Sequence, residues 1–288
     1  MSSLQKQHQR LTEITDILAT GGISLVAITV TGIFFWIVGD LFLQGVSHLS
    51  WQFLTTNPIN AGREGGILPI LVSTGLILSV CLGVALPLGV GTAILLTEFI
   101  SPGTWFSQGV RLSLDILAGA PSIVFGLFGN VFFAKVLGLG FSILSGGLTL
   151  ACMVLPILIR GTHTGLQSVP NEYRQAAAAL GISRLGVLWR ILLPTAIPGI
   201  VVGLLLGIAR ALAETAALIF TSGYVTRMPH SFLDSGRSLS IHIYDLAMNV
   251  PGGEENAYAT ALVLMMLLVL INGAVFALAM KFQRSSLI

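Results

Sequence analysis

The chain has 288 residues, of which 54% are hydrophobic and only 9% charged. A soluble domain of this size carries roughly 25% charged residues, so most of the chain is expected to be dissolved in lipid. The net charge of +2, without a basic stripe interleaved with aromatics, leaves no footprint for nucleic acid.

Residues 1–16 read as a polar N-terminal tail. After it, uncharged runs mark six spans: Ile17–Gly39, Gly65–Thr97, Ile116–Ala134, Val136–Ile159, Ile191–Ala209 and Asn256–Met280. Each suffices for one crossing at about 20 residues per helix. The second is long, and its Gly65-Gly66 start is expected outside the lipid core. The fifth is expected to continue past Arg210 to about Ser222, with two charges interrupting an apolar segment. The first run is too long for the h-region of a signal peptide and reads as a retained span. The prediction is an all-α, six-span membrane domain over 17–288, with no soluble domain.

Orientation follows from the lysine and arginine bias. With both termini inside, Lys6, Arg10, Arg111, Arg160, Arg174, Arg184, Arg190, Lys281 and Arg284 are cytoplasmic, and Arg63, Lys135, Arg227 and Arg237 are outside. Nine against four predicts cytoplasmic termini, and Arg210 is the fourteenth basic residue, within a span. The largest outer piece is the loop 223–255.

Pro69, Pro87, Pro121, Pro156 and Pro198 lie in or beside five spans. Proline removes a backbone donor, and in lipid the freed carbonyl needs an internal partner. Gly75, Gly83, Gly89 and Gly91 in the second span offer close helix approach. Cys81 and Cys152 lie in apolar runs and read as buried free thiols. No group of cysteine, histidine and carboxylate has metal-ligand spacing.

Between 165 and 194 the chain turns polar. Val169-Pro170-Asn171-Glu172 has the form of a helix start, with proline near the first turn and an early acid. An alanine-rich helix is expected from Glu172 to Leu180, ended by Gly181 in the positive-φ C-terminal role. Ser183 is placed to cap a second short helix, Arg184–Leu192, closed by Pro194. The alanine face lets a partner backbone approach, and Leu180, Leu185, Leu188 and Trp189 are candidates to fill a groove. An interfacial helix resting on lipid headgroups is the alternative.

Arg210 and Glu214 sit at i and i+4, on one face of the expected helix. A span beginning near Ile197 puts Arg210 roughly 20 Å along it, near mid-membrane. Intramembrane arginine is costly and faces a cavity or a partner. Either the pair neutralises itself and locks packing, or Arg210 meets an anion while Glu214 holds the arginine or repels the anion onward. Arginine suits a tetrahedral oxyanion because its planar fork stays charged and donates several hydrogen bonds. Thr215 is a further candidate donor. Arg160, at the expected inner end of the fourth span, reads as a snorkelling anchor, and Asp115 as its structural ion partner or that of Arg111. His163 and His242 read as polar residues at loops or span ends. Arg63 and Glu64 read as solvated loop charges, and Arg227 and Arg237 as candidates to meet a docking protein.

The polar segment resembles the coupling motif of ABC-type importer permeases: Glu-Ala-Ala, three residues, Gly, nine residues, Ile-x-Leu-Pro. Ala176, Ala177, Gly181, Ile191, Leu193 and Pro194 match. Gln175 departs from the family's glutamate, and Glu172 is a nearby substitute. Ala209-Arg210-Ala211-Leu212-Ala213-Glu214-Thr215-Ala216 is similar to the Ala-Arg-x-x-Gly-Glu-Thr-Ala-Pro stretch of phosphate-importer permeases, with Ala213 and Ala217 replacing glycine and proline. Leu117–Gly129 resembles the third-span motif of both phosphate permease subunits. Leu155–Thr162 and Ser238–Tyr244 look like the PstA type rather than its PstC partner. The resemblance covers about residues 64–282.

It implies a type I ABC importer permease of MetI-like fold in the bacterial cytoplasmic (inner) membrane, carrying inorganic phosphate. It further implies a coupling helix seated on a cytoplasmic ATPase dimer (PstB type), a homologous second permease (PstC type) and an extracytoplasmic phosphate-binding protein (PstS type), with lipid around the spans. Arg160 becomes an inner-gate cation that receives phosphate after Arg210. No cofactor is expected on this chain: it lacks G-x-x-x-x-G-K-[ST], so ATP and Mg belong to the partner and the chain is a transport subunit, not an enzyme. A sulfate or molybdate permease, and less favourably a stand-alone ion-coupled anion transporter, are the rivals. An intramembrane hydrolase lacks a nucleophile–base pair.

Overall fold

The computed structural model describes residues 3–101 and 103–285, with side chains at 16, 19–101 and 103–281. The side chains of Lys6, Arg10 and Arg284, used for the orientation reading, lie outside the described set. Helix α1 (Ser3–His48) is one rod, so the expected tail and first span are continuous. It packs on the last helix at Gly45, where a Cβ would come within 2.9 Å of Leu262 and of the Tyr258 carbonyl. A short α2 (Trp51–Thr55) is capped by Ser50, whose hydroxyl accepts from the Phe53 N–H. A small antiparallel hairpin follows, β1 (Pro58–Ile59) on β2 (Glu64–Gly65), with Pro58 opposite Gly65.

The second span is α3 (Leu68–Ile94), with Pro69 at its start and Pro87 inside, running on through a π-turn, Leu95–Phe99. The third expected span, Ile116–Ala134, is corrected. α4 (Trp105–Gly119) and α5 (Ser122–Gly129, continued by a π-turn to Val136) meet at 105°. Pro121 is the cause: it holds Ala120 in an extended conformation (φ −72°, ψ 134°), which a helix cannot contain. The fourth span is shorter at its start than expected. Residues 137–142 are loop, and α6 (Ile143–Gln167) begins where Ser142 accepts from the Ser145 N–H. It then continues seven residues past Arg160.

The coupling segment forms α7 (Asn171–Ala179) and α8 (Arg184–Val187). α8 does not close at Pro194. It passes through a π-turn, Leu188–Leu192, into α9 (Leu193–Leu212), so one rod spans Arg184–Leu212. The wide turn puts Pro194 in the first turn of α9, where its missing N–H is not needed. The rod ends at Leu212, not at Ser222. A short α10 (Ala216–Ile219), α11 (Leu239–Met248) and α12 (Glu254–Ser285) complete the chain. Among the described residues, five helices are long and apolar enough to cross a membrane, and the bent α4–α5 pair makes a sixth if counted as one span.

The centre is α3, α6 and α9. Ile77, Cys81 and Ala85 of α3 meet Leu150, Val154 and Leu158 of α6, with Ala217 and Leu218 closing one end. In lipid such packing rests on close backbone approach rather than on exclusion of water. The approach is closest between α6 and α9: a Cβ on Gly161 would lie 2.6 Å from Gly203 Cα, and one on Gly199 2.4 Å from Gly165 Cα. The glycines expected to do this were in α3. There only Gly89 is crowded, by Leu158, whereas Gly75, Gly83 and Gly91 have nothing within 4 Å.

Candidate translocation and coupling site

Arg210 occupies the last turn of α9, where a cation also complements the helix dipole. It lies 17 residues beyond Leu193, about 26 Å along the helix, so it is near the far end of the rod rather than at its middle. Its side chain is exposed, and among the described residues none bonds or pairs with it. The expected i, i+4 pair with Glu214 does not form, because the helix has ended. Glu214 turns inward instead. It is buried, its Oε1 accepts the Ala217 N–H at 3.0 Å, and its carbonyl accepts from Ser240 Oγ at 2.6 Å. Glu214 thus starts α10 and ties it to α11, leaving the guanidinium uncompensated. Thr215 is half-buried at the cap of α10 and makes no side-chain capping bond.

Arg160 lies inside α6, about 10 Å short of its end by helix rise. It pairs with Asp115 of α4, both side chains more than half exposed. The glycine seam sets the levels of the two antiparallel helices: Gly161 faces Gly203, and Gly207 faces Val154. Arg210 therefore stands on the order of 12 Å from the level of Arg160 along the bundle. The two arginines are staggered along one direction, not adjacent.

The coupling elbow folds as its sequence dictates. Gly181 has φ +70°, its N–H bonds the Ala178 carbonyl (3.1 Å), and the Ile182 N–H bonds the Ala177 carbonyl (3.0 Å). That paired closure of a helix end needs a left-handed residue at its corner. Ser183 then caps α8 through the Gly186 N–H, at 3.2 Å. Ala177 is buried on Leu166, Val169, Val187 and Leu192. Leu188, expected on the docking face, belongs to this inner cluster too. What remains outward is Glu172, Gln175 and Ala176, with Leu180 at 77% exposure, Leu185 at 59% and Trp189 at 68%. Ile191, Leu193 and Pro194 are half-buried where the elbow enters α9.

The elbow is fastened to the spans by an arginine that sequence reading counted only as a charge. Arg174 forms a two-pronged bond with Glu98 at the elbow-side end of α3, at 2.7 and 3.2 Å. It also donates to the carbonyls of Val169 and Leu166 and to Asn171 Oδ1. Beside the clasp opens a cleft of about 950 Å³, which both residues line. The signal was present: Glu98 is the sole acid between residues 65 and 110, and an acid at a span end needs a partner.

On the opposite side, Arg237 is buried rather than offered to a partner. It bonds Asp245 at 2.8 Å and the Tyr224 carbonyl at 3.0 Å, and lies over the Tyr224 ring. His242 is fully buried beside it, its Nδ1 3.3 Å from the guanidinium and its Nε2 without a partner. Burial, then the neighbouring Arg237, pushes its pKa down to about 3, despite the opposing pull of Asp245. His242 props the hairpin: Gly62 (φ +93°) sits so close that a Cβ there would meet the ring at 2.5 Å.

Spans arranged in this way, carrying a capped polar elbow and an arginine with no partner among the described residues, define a membrane permease subunit of the ABC importer class with the MetI-like fold. Residues 85–283 match the family of binding-protein-dependent transport system inner membrane components, and the chain belongs to that family. It is 32% identical to the probable ABC transporter permease protein YqgI of Bacillus subtilis, covering 90% of this chain and 93% of that one. It is 33% identical to the phosphate transport system permease protein PstA of Yersinia pestis, over 83% and 82% of the two chains. The fold is shared with a solved bacterial alginate ABC transporter in complex with its alginate pentasaccharide-bound periplasmic protein: TM-score 0.62, 15% identity, 90% of this chain and 94% of that one.

Proposed function

We propose that the chain is the PstA-type half of the membrane pathway of an ATP-driven importer of inorganic phosphate. The observation that carries the reading is Arg210, an exposed guanidinium in the last turn of a membrane helix with its sequence-neighbour acid engaged elsewhere. An uncompensated fork of N–H donors in a low-dielectric setting favours an oxyanion over a neutral or cationic cargo. The phosphate permease among the relatives supports phosphate over sulfate or molybdate.

In this reading a phosphate-loaded, PstS-type binding protein docks on the side of the 223–255 loop. A PstB-type ATPase dimer receives Leu180, Leu185 and Trp189 on the other side, beside Glu172, Gln175 and Ala176. A PstC-type permease supplies the second half of the pathway. Nucleotide binding draws the elbows together and opens the spans outward. The anion meets Arg210 and then Arg160, with Thr215 as an added donor, and hydrolysis resets the gate. ATP and Mg reside in the partner, and this chain binds no cofactor. Both termini lie in the cytoplasm of a bacterial cell, whose inner membrane holds the chain.

The test is uptake of radiolabelled phosphate by a strain lacking only this subunit, with and without the gene restored. Restored uptake that unlabelled sulfate and molybdate fail to compete is the expected result. Competition by either anion at equal concentration reassigns the cargo. Uptake that persists without the ATPase removes the coupled mechanism.

A further inference from the structure

Between α4 and the elbow-side third of α6 lies a cavity of about 300 Å³. Arg111 and Asp115 reach it from α4, and Arg160, His163 and Thr164 from α6. Two contacts join its walls: Arg160 to Asp115, and Arg111 Nη2 to His163 Nε2 at 3.4 Å. Two guanidiniums face one carboxylate, so the cavity carries one excess positive charge. Its other polar groups, an imidazole and a hydroxyl, can each donate.

The Arg160–Asp115 pair differs in kind from the Arg174–Glu98 clasp. The clasp is largely buried, at 25% and 14% exposure, and held by further bonds to carbonyls. The cavity pair is 55% and 67% exposed, and no other described hydrogen bond is made by either side chain. An ion pair so wetted contributes little to stability and is readily exchanged. A guanidinium bound to a carboxylate already presents the geometry that an oxyanion uses. An arriving oxyanion and Asp115 therefore compete for the same fork.

We infer that this cavity is an oxyanion site at the elbow end of the pathway, in which Asp115 is the resident counter-ion of Arg160. The arriving anion displaces Asp115 and is held by Arg160, Arg111 and the donors of His163 and Thr164. Asp115 then reclaims Arg160 and expels the anion. The inference rests on the proposed oxyanion cargo and adds Asp115, Arg111, His163 and Thr164 to its path.

The test uses the assembled transporter, purified without nucleotide or binding protein, and equilibrium binding of radiolabelled orthophosphate. Asp115→Asn removes the competitor: phosphate binds roughly tenfold more tightly, whereas uptake in cells slows because nothing drives the anion off. Arg111→Gln binds roughly tenfold more weakly. Copurification of the ATPase certifies assembly for each variant, and if one fails to assemble the other decides, since each removes a different partner. Unchanged affinity in the assembled variants, with normal phosphate uptake by the parent transporter, overturns this inference and leaves the proposed function standing. No phosphate uptake by the parent overturns both.

Discussion

The charge of Arg210 has no partner among the described residues. Arg210→Gln keeps a polar side chain but shortens it and removes the charge and the guanidinium fork, and a hydrogen bond to a charged group is worth about 1.5–3 kcal/mol. Phosphate uptake is expected to fall about tenfold or more, with the ATPase still copurifying, since Arg210 bonds no described residue. Normal accumulation removes it from the path. Glu214→Leu, whose side chain cannot accept the Ala217 N–H, is expected to act differently, through the lost cap of α10, and to lower thermal stability before it touches anion affinity. His242 governs a pH dependence. It is neutral when folded, with its pKa near 3, and regains the ordinary value of 6.5 when unfolded. The unfolded state therefore binds the extra proton first, and stability is lost as pH falls from about 6.5 toward 3. Between pH 7 and 5 the loss is about 2 kcal/mol. Thermal unfolding in detergent across that range reads it, and His242→Gln flattens the slope. A slope unchanged by that substitution assigns the dependence elsewhere.

At the level of elements, the structure divides what local sequence determines from what it does not. Gly181 and Ser183 act over five residues or fewer and the apolar runs are continuous in sequence, and the elbow and most spans were legible from them. Pro121 was legible as a breaker but not as a 105° corner, because a bend of that size needs α5 to have somewhere to pack, here Ala217 at Gly126. The Arg210–Glu214 spacing implied a helix that the chain abandons at Leu212. Glu214 gains a buried N–H and α10 gains an anchor, and neither gain is visible at i+4. The glycine seam was misassigned to α3 because composition counts small residues without saying which face they share. The Arg174–Glu98 clasp joins residues 76 apart in sequence, beyond any local pattern. It ties the elbow to the end of α3. Arg174→Met leaves a largely buried Glu98 unpaired, at a cost of about 3 kcal/mol. ATPase activity is then expected to persist while its stimulation by the loaded binding protein is lost. Adding Glu98→Gln restores stability but not stimulation. Full stimulation in the double variant shows that the pair only holds the elbow up.

The whole molecule makes sense as a permease only if the elbow and the 223–255 loop lie on opposite sides of the membrane. The rod Arg184–Leu212 enforces this within the chain: its 29 residues run from the elbow to the turn that begins the loop, about 43 Å by helix rise, more than the roughly 30 Å hydrocarbon core. The lysine and arginine bias predicts that the elbow lies on the cytoplasmic side. Leu180, at 77% exposure on the crest of the elbow, reports both its side and its occupant. In a variant whose added cysteine is Leu180→Cys, a membrane-impermeant maleimide is expected to label inverted vesicles stripped of the ATPase and to leave intact cells unlabelled. Returning the ATPase is expected to protect the thiol, because a docked groove excludes the reagent. The native thiols leave the background low, Cys81 being fully buried and Cys152 half-buried among apolar neighbours. Labelling of intact cells places the elbow outside and reverses every assignment of side. Labelling of inverted vesicles that the ATPase fails to block keeps the topology but moves the docking surface off the Leu180–Trp189 crest, and the motor would then have to grip the chain elsewhere.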